Sequence, residues 1–187
     1  LGSRKLESLG QERYRIEYDA SAMIYSLKEQ SEFLWQDGQP KPLQYDSARG
    51  TFLKKRENHI KFDWQSGQGR YVHKKKKGTF ELAVGMQDPL TSTLLLALEV
   101  QSGKSEIKLM EAKDNDQELR TFVLLDKPTL NMPSGKIKTY HLKRLHDDKK
   151  RQTEIWLHHE YPFIPVKVEQ NDDGDHFLLE LTEFKLH

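Results

Sequence analysis

Three groups of residues have the types and spacing for chemistry. His158, His159 and Glu160 stand side by side, and Asp172, Asp173 and Asp175 follow within a few positions. Lys74 to Lys77 form an unbroken cationic run, with Lys54, Lys55 and Arg56 upstream and Lys149, Lys150 and Arg151 downstream. The first group suggests a metal or hydrolytic site, the second a calcium loop, and the third a surface for phosphate backbones or lipid head groups.

Spacing argues against the first two. Successive side chains of a strand point to opposite faces, so His158 and His159 cannot converge on one ion without a bulge, and the i, i+4 pairing of a helical metal site is absent. The run Asn171-Asp172-Asp173-Gly174-Asp175 lies between Val166 and Val168 on one side and Phe177 and Leu179 on the other. Asp-Gly between alternating segments signals a hairpin turn, and the run misses the ligand spacing of a calcium loop. The lysines read as hairpin tips and edges that discourage pairing with other chains, and Asp147 and Asp148 dilute the third cluster.

No nucleophile elbow, phosphate loop or dinucleotide fingerprint occurs. Asp63, Glu81 and His141 are single groups without a partner motif, so no catalytic residue is assigned. The expectation is a protein that is not an enzyme, with no metal and no cofactor.

The elements that carry these residues are mostly strands. From Tyr14 to Ile24 apolar side chains hold the even positions and polar ones most of the odd positions, the period of a half-buried strand. Ile60, Phe62 and Trp64 repeat that spacing, and strands follow around Tyr71 and Phe80. A helix is expected over Asp88 to Gln101: Asp88 as N-cap, Pro89 in the first position, and Leu90, Leu94, Leu95 and Leu98 as one apolar stripe. Strands then return through "LRTFVLLD", "KIKTYHLKRLH", "QTEIWLHHE", "IPVKVEQ" and "HFLLELTEFKL", joined by short turn-prone connectors that imply antiparallel neighbours. The fold class is mainly β: a single highly curved antiparallel sheet, an open or half barrel, with one main helix packed against it. Residues 1–12 are expected to be an N-terminal tail or cloning remnant, and 13–187 one domain.

Composition sets limits. The 187 residues include 30 basic and 29 acidic ones, so no global field draws the chain to nucleic acid, which is not expected as a partner. There is no cysteine, hence no disulfide or thiol chemistry, and no apolar run is long enough for a transmembrane segment. Aromatic residues make up 10%, more than a disordered chain would carry. A strongly curved sheet with one helix leaves a concave face that the helix cannot fill. Tyr25, Trp35, Phe62, Trp64, Leu94, Leu98, Tyr140 and Trp156 are the candidates to line an apolar groove there.

The order of features also resembles a bacterial exported family, the domain of unknown function numbered 3108, from about Tyr14 onward. The residues that carry the resemblance are Asp88, Pro89 and Leu90 at the helix start; Trp156 and Leu157; Pro165, Val166, Lys167 and Val168; and Asp173 with Gly174. Thr91 departs from it, a serine being common there. The resemblance implies a mature periplasmic protein whose signal sequence is removed, and an open half barrel like that of the periplasmic lipoprotein carriers. It implies no established activity. Together these readings point to a non-enzymatic envelope protein that binds or carries a lipid or other apolar ligand. The alternative is a module that pairs a strand edge with an envelope protein partner, and an envelope hydrolase ranks behind both.

Overall fold

The computed structural model describes residues 2–22, 24–51 and 53–186. It is built of antiparallel strands with one helix, and its sheets are not closed. Two compact units divide the chain: Leu1–Leu95 with Leu109–Leu119, and Leu96–Lys108 with Arg120–His187.

The first unit is dominated by a seven-stranded meander: β1 (Gly2–Gly10), β2 (Arg13–Ala22), β3 (Tyr25–Gln36), β4 (Gln39–Thr51), β5 (Lys54–Asp63), β6 (Gln68–His73) and β7 (Lys76–Glu81), each hydrogen-bonded to its sequence neighbour. The residues expected to be a tail therefore form an edge strand. β1 has no apolar alternation, and the β2 backbone holds it in register, Arg4 opposite Tyr18 and Leu6 opposite Ile16. Bulges interrupt the ladder after Ser8 and after Glu32.

The helix α1 (Thr91–Gln101) starts as its sequence demands. Asp88 Oδ1 accepts the backbone N–H groups of Leu90 (2.8 Å) and Thr91 (3.0 Å), satisfying donors that the first turn leaves open. Its burial differs from the expected single stripe. Leu96, Ala97 and Val100 are as buried as Leu94 and Leu95, so the helix is covered on more than one side, whereas Leu98 is only half-buried.

The remaining strands are β8 (Glu106–Lys113), β9 (Asp116–Asp126), β10 (Thr129–Met132), β11 (Gly135–Leu145), β12 (Arg151–His158), β13 (Pro165–Asp172) and β14 (Asp175–Glu180). They form a second sheet in the order β14-β13-β12-β11-β9-β8. β10 pairs with the first part of β11, and β9 pairs with the rest of β11 from His141 onward. One continuous sheet was expected, and two are observed. β8 was not anticipated, because Met110 and Glu111 break the alternation that Ile107 and Leu109 begin, and β10 lies within one of the short turn-prone connectors.

Candidate functional site

Because strand side chains alternate, the register of β1–β7 sorts residues into two faces. On the inner face, Ile16, Ser31, Tyr45 and Ile60 lie opposite one another on successive strands, all fully buried. The next row, one pleat along, is polar: Arg4, Tyr18, Glu29, Ser47, Asn58 and His73. The start of the helix meets this face, since Ser31 Oγ donates to Asp88 Oδ2 at 2.6 Å and the Arg4 guanidinium to Thr93 Oγ1.

Most of the polar row is committed. The Tyr45 hydroxyl donates to Glu29 Oε1 at 2.5 Å, and Arg49 holds Asp114 at 2.7 Å, with His73 Nδ1 3.5 Å from the same carboxylate. Burial pushes several groups toward their neutral forms. Asp88 is raised to about 6 and Arg4 lowered to about 10, chiefly by loss of water. Tyr18 and Tyr45 are both raised, first by burial and then by the Glu29 charge. Among the described residues His73 Nδ1 has no hydrogen bond of its own, and Asn58, 4% exposed, has none at either side-chain atom. An amide buried in that state costs about 1–3 kcal/mol until something hydrogen-bonds to it.

The opposite face carries a shallow cavity of about 640 Å³. Its floor is the row Lys5, Glu17, Gln30, Asp46, His59 and Val72, flanked by Ser3, Asp19, Lys28, Ala48, Glu57 and Lys74, and Tyr18, Glu29, Ser47 and Asn58 of the polar row also border it. Lys28 pairs with Asp19 there at 3.1 Å, and His59 Nδ1 meets the Asp46 carboxylate. None of the eight groove candidates lines it.

Those eight divide between the two units. Tyr25 starts β3 and is 48% exposed. Trp35 packs in a ring cluster with Tyr14 (6.3 Å) and Phe33 (6.5 Å). Phe62 is buried and stacks on Trp64 at 6.2 Å, whose indole N–H donates to the Pro42 carbonyl at 2.6 Å. Trp64 borders a smaller hollow of about 220 Å³ with Pro40, Val84 and Met86. Leu94 is buried in the core. Leu98, Tyr140 and Trp156 belong to the second unit, where Tyr140 stacks on His159 (4.7 Å) and Trp156 on His141 (4.2 Å). Most of these side chains are packing residues. The polar row beneath the helix start was not foreseen, although the parity of β2 through β5 contains it.

The tempting histidines have structural tasks. His158 Nδ1 accepts the backbone N–H groups of Glu160 and Tyr161, each at 3.1 Å, which closes the turn after β12, and burial lowers its pKa. His141 sits between Asp126 and Glu154, one ring nitrogen 2.9 Å from each carboxylate, and a neutral imidazole can donate to only one of them. Among the described residues no group of three or more His, Asp or Glu is placed to hold a metal. Asp173 and Gly174 both have positive φ, 52° and 99°, so the acidic run is the expected hairpin turn between Asp172 and Asp175.

The model of a protein family of unknown function, DUF3108, matches residues 10–182. The chain belongs to the DUF3108 family. No curated protein matches the sequence. Among solved structures, the chain is similar to the crystal structure of a β-barrel-like protein of domain of unknown function DUF1849 from Brucella abortus, with a TM-score of 0.61. Identity is 14%, and the match covers 95% of this chain and 83% of that one. At that identity the likeness speaks for the fold alone.

Proposed function

We propose that this DUF3108 protein is a non-catalytic binding protein of the bacterial envelope, exported to the periplasm, whose ligand is an amphiphile such as a lipid. Its polar end would be held by the Asn58 row of the β1–β7 sheet. The observation that carries this reading is Asn58 itself, a buried amide with both hydrogen-bonding atoms unmet, set between Ser47 and His73 in the row that Glu29, Tyr18 and Arg4 continue on the next strands. A head group with a donor and an acceptor would meet both atoms. The neighbouring row of Ile16, Tyr45 and Ile60 offers apolar surface, at present fully covered. Admission of an acyl chain would therefore require the Ser31–Asp88 hydrogen bond to part, making the helix start a latch. The gain would be about 25 cal/mol per Å² of apolar surface removed from water, less the ordering of the ligand.

A hydrolase is disfavoured because the acids near this row are engaged: Glu29 by Tyr45, Asp114 by Arg49, Asp88 by the helix start. The test is native mass spectrometry of protein purified gently from the periplasmic fraction, before and after organic extraction, with Asn58→Leu in parallel. A lipid-sized extra mass that extraction removes and Asn58→Leu fails to retain is the expected result. A clean apo mass would sink the proposal, as would recovery from cytosol alone.

A second reading rests on β14. It is an edge strand with Phe177 46% and Leu178 47% exposed on opposite faces and no charge between Phe177 and Leu179. Such an edge invites a partner strand from another envelope protein. Phe177→Lys would abolish capture of that partner and leave any bound lipid in place.

A further inference from the structure

The hairpins β2–β3, β4–β5 and β6–β7 all turn at the same end of the first sheet. Ala22 faces Tyr25, Tyr25 faces Thr51, and Thr51 faces Lys54. One strand further on, the Lys74 backbone N–H donates to the Glu57 carbonyl at 3.1 Å, which sets the β6–β7 turn beside the stem of the β4–β5 hairpin. Two of the cationic runs in the sequence are thereby brought together. Lys54, Lys55 and Arg56 stand alongside Lys74, Lys75, Lys76 and Lys77, all exposed.

None of these cations is in an ion pair with a described residue. Of the acids elsewhere in the first unit, Asp19 pairs with Lys28 and Asp114 with Arg49, which leaves Glu57, on the same strand as Lys54 to Arg56, as the local counter-charge. The same tips expose apolar side chains. Leu53 is 93% exposed and Ile24 78%, two large groups in water, and Tyr25 is 48% exposed beside them. Lysines alone at hairpin tips would serve to block strand pairing. Lysines ringing exposed Leu, Ile and Tyr make a different surface: cations for phosphate groups, aliphatic tips for the acyl boundary, and an aromatic ring at head-group depth. Nucleic acid fits it poorly, since Leu53 and Ile24 would find no apolar partner along a phosphate backbone.

We propose that these hairpin tips dock the protein reversibly on an anionic lipid surface. The cations supply attraction, each strengthening partition about fivefold where it reaches the head groups, and Leu53 and Ile24 insert shallowly. The proposal does not depend on whether the inner face of the sheet holds a ligand.

The test is sedimentation of the full chain with phosphatidylcholine vesicles, with and without phosphatidylglycerol, across a salt series. Wild type is expected to partition onto the anionic vesicles, to leave them as salt rises, and to ignore neutral ones. Lys75→Glu with Lys76→Glu and Lys77→Glu should weaken partition about a hundredfold or more. Leu53→Asp should weaken it several-fold while leaving its salt dependence intact. These side chains have no ion-pair or hydrogen-bond partners among the described residues, so circular dichroism should be unchanged. Equal binding to neutral vesicles, no binding to anionic ones, or binding indifferent to both variants would overturn the proposal. So would preferential binding to a short duplex RNA that Leu53→Asp does not alter.

Discussion

The two faces of the β1–β7 sheet lie one residue apart in sequence and treat charge in opposite ways. On the inner face and at the helix start, burial drives Asp88, Tyr18, Tyr45 and Arg4 toward their neutral forms. On the outer face, partners hold groups in their charged forms: Arg15 and Arg13 keep Glu32 ionised, and Lys5 does the same for Glu7. Neighbouring residues on one strand thus acquire opposite responses to pH from the pleat alone. A one-residue slip of register would exchange them, burying Glu17 and Glu32 and exposing Ile16 and Phe33.

The largest way to break this contrast is to empty the inner face. Ile60→Ala removes a fully buried side chain between Tyr45 and Tyr71, and chemical denaturation should show a loss of about 2–5 kcal/mol. An exposed-site loss of a few tenths would mean that the row is not core.

The second effect is a pH slope. Asp88 holds its proton more tightly in the folded state, about 6 against 3.8, so its ionisation weakens the fold as pH rises from about 4 to about 6, by up to about 3 kcal/mol. Asp88→Asn keeps a capping carbonyl and should flatten that decline in urea melts taken across this range. An unchanged slope would show that the helix-start hydrogen bonds outweigh burial.

A third test concerns the end of the sheet. The Phe80 ring lies over Gly69 and the Tyr71 ring over Gly78, where an added Cβ would overlap each ring. Gly78→Ala should displace Tyr71 and cost about 1–3 kcal/mol in thermal melts. The smallest effect is on the outer face. Glu32→Gln should cost no more than about 1 kcal/mol at neutral pH, because the ion pairs with Arg13 (2.5 Å) and Arg15 (2.7 Å) are near the surface. Since Glu32 is depressed in the folded state, its contribution is present above the ordinary glutamate value and fades as pH falls through the folded one. The variant and wild type should therefore converge in acid, opposite in sense to Asp88.

Local patterns were legible where one residue type has one local outcome. Ile16 of β2 is buried as its alternation says, Asp88 caps the helix, and Asp173-Gly174 makes the hairpin turn. β1 was not legible, because Ser3, Lys5 and Glu7 give a strand no apolar face and only the exposed backbone of β2 recruits it. The surroundings of the aromatic candidates were hidden for a related reason. Alternation shows which residues share a face, but whether that face is filled or hollow depends on side chains from distant segments. Phe62 meets Trp64 and Phe80, whereas Tyr25 meets water at a hairpin end. Asn58 shares the parity of Ile60 and Phe62, but an asparagine near Glu57 and Lys61 reads as surface by type. Only the register, which sets it opposite Ser47 and His73, puts it inside.

A net charge of +1 describes an average that no approaching surface encounters. With Lys54 to Arg56 and Lys74 to Lys77 gathered at one end of a sheet, the first unit has an electrical heading, and a field turns it before it drifts. Chromatography should show this directly: at a pH near the chain's isoelectric point of about 8.0, where charge as a whole predicts no retention, a cation-exchange resin would still hold the protein by its hairpin tips.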